Sequence, residues 1–277
     1  MLTINCKGQL LDLSEPRVMG ILNVTPDSFY DGSRVVKEED ILARAEQMLL
    51  AGATFLDIGG QSTRPGSERV SEDEELKRVM PAIEVIMKNF PLALVSIDTF
   101  YSKVAKHAVE AGAAMINDVS AGTLDPAMLE TVAELNVPYV LMHSKGEPKT
   151  MQQLAQYDNV VTEVFDDLNR KLFQLRRMGI NDIIIDPGFG FAKNSSHNFQ
   201  LLDQLSYFLQ LGCPIMIGLS RKATIYKTLG TTAGEALNGT TVLNTIALLK
   251  GASILRVHDV REAVEAVKLM SALQNAT

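Results

Sequence analysis

The sequence predicts an α/β fold, a closed (β/α)8 barrel in a single domain, from its length, its composition and its alternating strand and helix patterns. At 277 residues, the chain has the size at which an eight-stranded α/β barrel folds as one unit. Apolar residues make up 46% of the chain and charged residues 21%, which is ordinary for a globular protein. Periodicity alone also fits a doubly wound open sheet, which stays the alternative. We expect residues 1–277 to form one domain.

Eight short apolar runs alternate with segments of helical spacing. The runs are rich in Val, Ile and Leu, as is typical of parallel strands that are buried on both faces. They are Val18 to Val24, Phe55 to Ile58, Leu92 to Ile97, Met115 to Asn117, Tyr139 to Met142, Ile183 to Ile185, Ile215 to Ile217 and Ile254 to Val257.

Helices are predicted between these runs. From Asp158 to Met178, apolar residues recur on one helical face, and Gly179 supplies a C-terminal stop. An earlier helix is expected to end at Gly52. In "DPAM", Asp125 is a candidate N-terminal cap and Pro126 a candidate first helical residue.

Polar or charged groups follow every predicted strand. In a barrel, the C-terminal ends of the strands and the loops after them carry the chemistry. Solvent contact explains any single case, but eight together indicate a constructed site. The strand-end residues are Asn23, Asp57, Asp98, Asn117, His143, Asp186, Gly218, Arg256 and His258.

Two kinds of ligand group are indicated at these ends. The oxygens of Asp98, Asn117 and Asp186 suit a heterocycle with several N–H donors, such as an aminopyrimidinone ring. Arg256 and His258 follow the eighth strand, where barrels frequently bind phosphate, and in extended chain they point to the same side.

A metal ligand is indicated at the first strand end. The side-chain oxygen of Asn23 is a suitable hard ligand for Mg2+, which uses few protein ligands together with phosphate oxygens and water. The site is therefore expected to take a hydrogen-bonding ring at one end and a phosphorylated group at the other.

Composition and charge exclude other classes. With 26 basic and 33 acidic residues, the formal net charge is −7, which argues against a nucleic-acid partner. No apolar segment approaches the roughly 18 residues needed to span a bilayer, and no signal-peptide pattern is present. Cys6 and Cys213 are expected to be reduced thiols, so a cytoplasmic location is predicted.

Motifs along nearly the whole chain resemble those of the dihydropteroate synthase family, the folate-pathway enzymes that sulfonamides inhibit. In order they are "MGILNVTPDSFYDG", "GGQSTRPG", "SIDT", "INDVSAG", "LMH", "DPGFGF", "GLSRK" and "RVHDV", between residues 19 and 260. "SIDT" is weak by itself, whereas "NVTPDSF", "STRPG" and "DPGFGF" in this order are highly specific. The resemblance implies a TIM-barrel transferase that joins 4-aminobenzoate to 6-hydroxymethyl-7,8-dihydropterin diphosphate. The products would be 7,8-dihydropteroate and pyrophosphate, formed by an SN1-like substitution.

The resemblance also implies roles for individual residues. The residues implied to hold or line the pterin site are Asp98, Asn117, Met142, Asp186, Gly218 and Lys222. Asn23, Arg256 and His258 would bind the diphosphate, with Mg2+ as the cofactor between Asn23 and the phosphates.

The 4-aminobenzoate site is implied by a further set of residues. That set is Phe29, Thr63, Arg64, Pro65, Phe191 and Ser220. Relatives in the family suggest a homodimer, for which Ala263 to Leu273 is a candidate interface.

Two other functions stay open at this point. One is a barrel that presents methyltetrahydrofolate to a corrinoid protein, but such a module would not need Arg256, His258 or "SRK". The other is an inactive paralogue that binds pterin, which only an assay of turnover distinguishes from the enzyme.

Overall fold

Eight parallel strands form the barrel and an antiparallel hairpin precedes them. The computed structural model describes residues 2–24, 34–61, 67, 69–147 and 149–276, with the side chains of 34–37 left aside. The strands are β1 (Thr3–Cys6) and β2 (Gln9–Asp12) in the hairpin, then β3 (Arg17–Asn23), β4 (Phe55–Gly59), β5 (Leu94–Asp98), β6 (Met115–Asp118), β7 (Tyr139–Met142), β8 (Ile183–Asp186), β9 (Met216–Ile217) and β10 (Ile254–Val257).

The sheet closes on itself. Its strand order is β8-β7-β6-β5-β4-β3-β10-β9, with parallel pairing throughout. A parallel bridge between Ile185 and Ile215 joins β8 to the residue just before β9. The predicted (β/α)8 barrel is confirmed, and the open-sheet alternative is wrong. The assignment of all residues 1–277 to one domain stays a prediction.

Helices cover the outside of the barrel. Within the described ranges they are α1 (Arg34–Leu50), α2 (Glu72–Asn89), α3 (Ser102–Glu110), α4 (Met128–Leu135), α5 (Val160–Arg177), α6 (Ser195–Asp203), α7 (Ala223–Leu229), α8 (Leu237–Leu249) and α9 (Val260–Gln274), with 3-10 turns at Met151–Leu154 and Leu205–Leu211. None of them is long and apolar enough to cross a membrane.

The ends of three helices test the sequence predictions. Gly52 and Gly179 follow α1 and α5 with positive φ angles, as expected of glycine stops. The start of α4 differs from its prediction, because the helix begins at Met128 and Ala127 is its cap residue. Asp125 instead accepts hydrogen bonds from the backbone N–H of Ser102 at 2.7 Å and of Ala127 at 3.0 Å. Its carboxylate therefore joins the start of α3 to the segment before α4, and the prediction that it caps α4 was wrong.

The barrel interior changes from apolar to polar along its axis. Side chains two residues apart on a strand share a face, so each strand contributes a column of inward residues. At the N-terminal end these include Phe55, Met115 and Ile184, which belong to one buried cluster. The next inward positions on the same three strands are Asp57, Asn117 and Asp186. The same strands thus line the apolar core at their N-terminal ends and the polar site at their C-terminal ends.

The hairpin of β1 and β2 is additional to the strands predicted from the sequence. Its turn uses Lys7 and Gly8, both with positive φ, as tight two-residue hairpins require. Ile4 and Cys6 are each 1% exposed and pack in the cluster that contains Phe55. The hairpin therefore contributes to the apolar packing at the N-terminal end, opposite the predicted site.

Candidate active site

A hydrogen-bonded ionic network occupies the polar level of the barrel interior. Arg256 donates from Nε to Asp57 Oδ2 at 2.6 Å and from Nη2 to Asp98 Oδ2 at 2.7 Å. Asn117 donates from Nδ2 to the same Asp57 oxygen at 3.0 Å. The side chains of four strands, β4, β5, β6 and β10, are joined in this way.

Burial governs the electrostatics of this network. It raises the pKa of Asp98 to about 7, although Arg256 opposes the shift. For Arg256, burial acts to lower the pKa, but Asp57 and Asp98 outweigh it and raise the pKa above its ordinary value. Asp57 Oδ1 and Asp98 Oδ1 are buried and have no hydrogen-bond partner in the described part of the chain. An unsatisfied buried carboxylate oxygen suits a ligand that supplies N–H donors.

Asp186 and Lys222 provide a second pair of opposite charges. Burial lowers the pKa of Lys222 to about 8, and Asp186 opposes this shift. Burial likewise raises the pKa of Asp186, which Lys222 opposes. Asp186 Oδ1 accepts from the backbone N–H of Gly188 at 2.7 Å. A lysine with such a pKa donates hydrogen bonds to a polar ring and can hold or release a proton near neutrality.

An apolar wall stands beside Lys222. The Lys222 ammonium lies 4.6 Å from the centre of the Phe191 ring, within range of a cation–π interaction. Phe191 packs against a buried cluster that contains Phe100, Val119 and Met142. This wall offers an aromatic ligand a flat apolar surface next to a cation.

Space is left open at two glycines. A Cβ on Gly218, just after β9, would have no atom within 4 Å. A Cβ on Gly59 would lie 3.5 Å from Asn23 Oδ1 and 3.5 Å from Asp98 Cβ. Even at Gly59, a Cβ would make only ordinary van der Waals contacts with the ends of β3 and β5.

A histidine and a serine meet where β9 and β10 end. His258 Nδ1 and Ser220 Oγ are 3.0 Å apart, and the same Oγ accepts from the backbone N–H of His258 at 3.2 Å. This bond links the loop after β9 to the end of β10. Ser220 is buried, whereas His258 is exposed, so the imidazole stands at the surface end of the site.

The residues at the first strand end are compatible with magnesium only if a substrate contributes ligands. Asn23 is half-buried and carries a neutral hard oxygen. Among the described residues, no group of three His, Cys, Asp or Glu side chains could hold a metal ion. Such a donor set fits an ion that takes its remaining ligands from phosphate oxygens and water.

The structure brings together most of the predicted site residues. Asp98, Asn117 and Arg256 share one network, and Lys222 contacts Phe191, as described above. Their roles as ligands stay predictions. The other predicted residues Phe29, Thr63, Arg64 and Pro65 lie outside the described residues.

Asp57 has a role that the strand-end pattern alone did not reveal. It is 0% exposed, and its Oδ2 connects Arg256 to Asn117. The sequence marks Asp57 as a strand-end carboxylate but does not reveal these partners, which are 199 and 60 residues away along the chain.

Glu75 was missed for a different reason. Its acidic neighbours suggest an exposed helix start, yet it lies on the same face of α2 as the buried residues Val79, Ala82, Ile83 and Ile86. Helical periodicity could have found it. Its Oε2 accepts from Gln61 Nε2 at 3.1 Å and from Thr99 Oγ1 at 2.9 Å, which joins the segments that follow β4 and β5.

The comparisons with known proteins agree with this geometry. A family model described as "Pterin binding enzyme" matches residues 19–258. Dihydropteroate synthase of Escherichia coli is 43% identical over 272 residues, covering 98% of this chain and 96% of that protein.

The chain belongs to the dihydropteroate synthase family. It is an enzyme of the transferase class. The Yersinia pestis dihydropteroate synthase solved with a sulfonamide drug superposes with a TM-score of 0.92 at 41% identity, covering 99% of this chain and all 100% of that one. The Xanthomonas albilineans dihydropteroate synthase solved with 7,8-dihydropteroate gives a TM-score of 0.88 at 41% identity, with 98% of each chain covered. The family resemblance seen in the motifs is thus confirmed by independent comparison of sequence and fold.

Proposed function

We propose that this dihydropteroate synthase family member joins 4-aminobenzoate to 6-hydroxymethyl-7,8-dihydropterin diphosphate, forming 7,8-dihydropteroate and pyrophosphate. The observation that carries the proposal is the buried Asp98, which binds Arg256 through one oxygen and keeps the other unsatisfied in the described residues. With Asn117 and Asp186, it supplies hydrogen-bond acceptors for the N–H edge of a pterin ring.

Positioning and electrostatics supply the catalysis in this proposal. Arg256 keeps its charge throughout the physiological pH range, and with His258 it would stabilise negative charge on the departing pyrophosphate. The resulting methylene cation conjugates with the electron-rich ring, near Asp186. The neutral arylamine of 4-aminobenzoate, held beside Phe191 and Ser220, would then form the C–N bond without a covalent enzyme intermediate, and the nitrogen would lose one proton to water or to the released pyrophosphate. The proposed course of the reaction is therefore a dissociative, SN1-like substitution.

Asn23 is the proposed protein ligand of Mg2+. Its neutral oxygen would leave most coordination positions to the diphosphate and water, and the bound ion would neutralise charge on the phosphates. Asn23→Ala is expected to raise the magnesium concentration needed for half-maximal activity, without loss of pterin ring binding measured with a pterin that lacks the diphosphate.

A homodimer is proposed through the face formed by α7, α8 and α9. Within the candidate interface Ala263 to Leu273, Ala263 itself is buried against the core, whereas Leu269 is 73% and Leu273 57% exposed. Leu229 and Leu249 add exposed apolar area on α7 and at the end of α8. Leu269→Glu is expected to convert the dimer to a monomer in sedimentation velocity, whereas a monomeric parent protein would refute the dimer.

A cytoplasmic location is also proposed. It is supported by Cys6 and Cys213, which are both buried and free, as is usual for proteins of a reducing compartment. Fractionation of the native cells would test it.

The decisive test of the activity is pyrophosphate release by the purified protein. Release is expected only when dihydropterin diphosphate, Mg2+ and 4-aminobenzoate are all present, with dihydropteroate as the second product. Asp98→Asn should abolish turnover, while Asp158→Asn, at an exposed position, should not change it. Pterin binding without turnover would replace the synthase proposal with a binding module or an inactive paralogue.

A further inference from the structure

The loop after β8 is held mainly by side chains, with one backbone hydrogen bond of its own from Phe191 N–H to the Gly188 carbonyl at 3.1 Å. Residues 187–192 belong to no strand or helix. Five consecutive carbonyls, from Gly188 to Ala192, each accept a side-chain hydrogen bond. The donors are Lys193 for Gly188 and Phe191, Lys222 for Phe189, Gln152 for Gly190 and Tyr157 for Ala192.

Lys193 is the buried centre of this arrangement. It is 3% exposed, and its Nζ lies 3.0 Å from Gly188 O, 3.0 Å from Phe191 O and 3.4 Å from His143 O. Nζ is also 2.9 Å from His143 Nδ1. The amine therefore connects the end of β7 to both ends of the loop. Its four polar contacts mean that no hydrogen-bonding capacity of the buried amine is left unsatisfied.

The backbone of residues 188–192 adopts conformations that bring its carbonyls close to this amine. Gly188, Gly190 and Ala192 all have positive φ, at 73°, 80° and 49°. A Cβ on Gly188 would lie 1.9 Å from His143 O, so only glycine allows the loop to approach β7 this closely. The non-glycine Ala192 is strained in this conformation, and strain of this kind persists only where surrounding contacts enforce it.

The held loop carries groups of the active site. The Phe189 carbonyl accepts from Lys222, and the Phe191 ring lies against the Lys222 ammonium. Both groups lie in the segment whose Gly188 and Phe191 carbonyls accept from Lys193.

We propose that Lys193 is a positioning residue, whose amine fixes the loop 187–192 so that Phe191 and the Phe189 carbonyl hold Lys222 in the active site. It acts through these groups and does not touch substrate. The aryl half of the site depends on Phe191 and therefore on Lys193. The pterin acceptors Asp98 and Asn117 are held separately by the network around Arg256, so they do not depend on it. The identity of the two substrates in this inference rests on the proposed function.

Lys193→Met tests the proposal because it keeps most of the length and all of the unbranched shape of the side chain and removes its donors. The KM for 4-aminobenzoate is expected to rise about tenfold, since small displacements of positioning groups cost this much or more. The affinity for the pterin diphosphate, measured by calorimetry, should fall by only about threefold, less than for Lys222→Ala, because Lys222 is displaced but still present and the Arg256 network is retained. Equal changes in both constants, or none in either, would overturn the proposal.

A matched control removes a different side chain that also donates to this loop, but from an exposed position. Gln152→Leu loses the bond to the Gly190 carbonyl, but Gln152 is exposed, so its KM for 4-aminobenzoate should change less than about twofold. A loss as large as that of Lys193→Met would show that the buried amine is not the principal anchor.

Hydrogen exchange provides a readout that does not require turnover. In Lys193→Met, amides of 188–192 should exchange at least about tenfold faster, with those of β5 and β6 unchanged. If the variant does not fold, His143→Ala removes one contact of the amine and should produce the same pattern at smaller amplitude. Unchanged exchange in the loop refutes the positioning role. An inactive wild-type protein with faster loop exchange in the variant would instead refute only the proposed function.

Discussion

Replacing Glu75 by Gln should change how the stability of this protein depends on pH. The carboxyl is completely buried under the strand ends, and its Oε1 has no hydrogen-bond partner within the described ranges. Burial raises the pKa of Glu75 to about 8 from an ordinary value of 4.5, while its hydrogen bonds from Thr99 and Gln61 oppose the shift. At pH 7 the group is therefore mostly protonated in the folded state, whereas it is ionised in the unfolded chain.

The sign and size of the effect follow from this difference. Because the folded state binds the proton more tightly, the stability that Glu75 contributes is fully present below pH 4.5. It is lost progressively as the pH rises to about 8. At about 1.4 kcal/mol per pH unit, the free energy of unfolding falls by up to about 5 kcal/mol across this window. Gln resembles the protonated acid in shape and charge, so Glu75→Gln should remove this part of the dependence.

Urea unfolding at pH 5 and at pH 8.5 measures the effect. The stability of Glu75→Gln relative to the wild type should increase by at least about 2 kcal/mol between the two pH values, which is beyond the uncertainty of linear extrapolation. Asp98 titrates in the same window and its charge helps to raise the pKa of Glu75, so the difference between the two proteins reports Glu75 together with its interaction with Asp98. Glu84→Gln, at an exposed position on the same helix, should show no such change. A difference for Glu75→Gln that is independent of pH would refute the reasoning.

Three further predictions concern the site and its loop. Asp57→Asn should lower kcat/KM by at least about tenfold in the pyrophosphate assay, because it removes the charge that orients Arg256; unchanged kinetics would show that Asp98 orients Arg256 alone. Lys222→Ala should weaken binding of the pterin diphosphate by at least about tenfold in calorimetry, as expected for loss of a charged hydrogen bond; normal affinity would exclude it from the pterin site. Gly188→Ala should lower the free energy of unfolding by about 1–3 kcal/mol in urea, because a Cβ there combines backbone strain with contact against the His143 carbonyl; wild-type stability would mean that the loop relaxes freely.

The adjacent cations Arg221 and Lys222 have different environments in the structure. Both are cations in "GLSRK", directly after β9. Arg221 binds Asp259 through Nε and Nη2, at 2.8 and 2.7 Å, and also donates to the carbonyls of Ala233 and Gly234. Lys222 instead enters the site, where burial lowers its pKa. The family resemblance implies a ligand role for Lys222 and none for Arg221. The structure adds the partners of each side chain, which the motif does not encode.

The barrel itself was determined by the sequence. Eight apolar runs with the length of buried strands, each followed by a helix, leave few other ways to bury the chain, and polar residues at the strand ends must meet at one end of a closed barrel. The strand-end pattern therefore predicted that Asp98, Asn117 and Asp186 would line the same end. The N-terminal hairpin is too short and too mixed in polarity for such a pattern to reveal it.

Only the tertiary structure decided which charges are paired and which groups hold the site in place. Arg256 could be read as an anion ligand, but its bonds to Asp57 and Asp98 depend on strands distant in sequence. Lys193 has the sequence context of a solvated loop lysine, yet it is enclosed by carbonyls of its own loop and by His143. Sequence periodicity encodes which face of an element is buried. It does not encode the partners of a buried charge, because those partners are set by how distant elements meet in three dimensions.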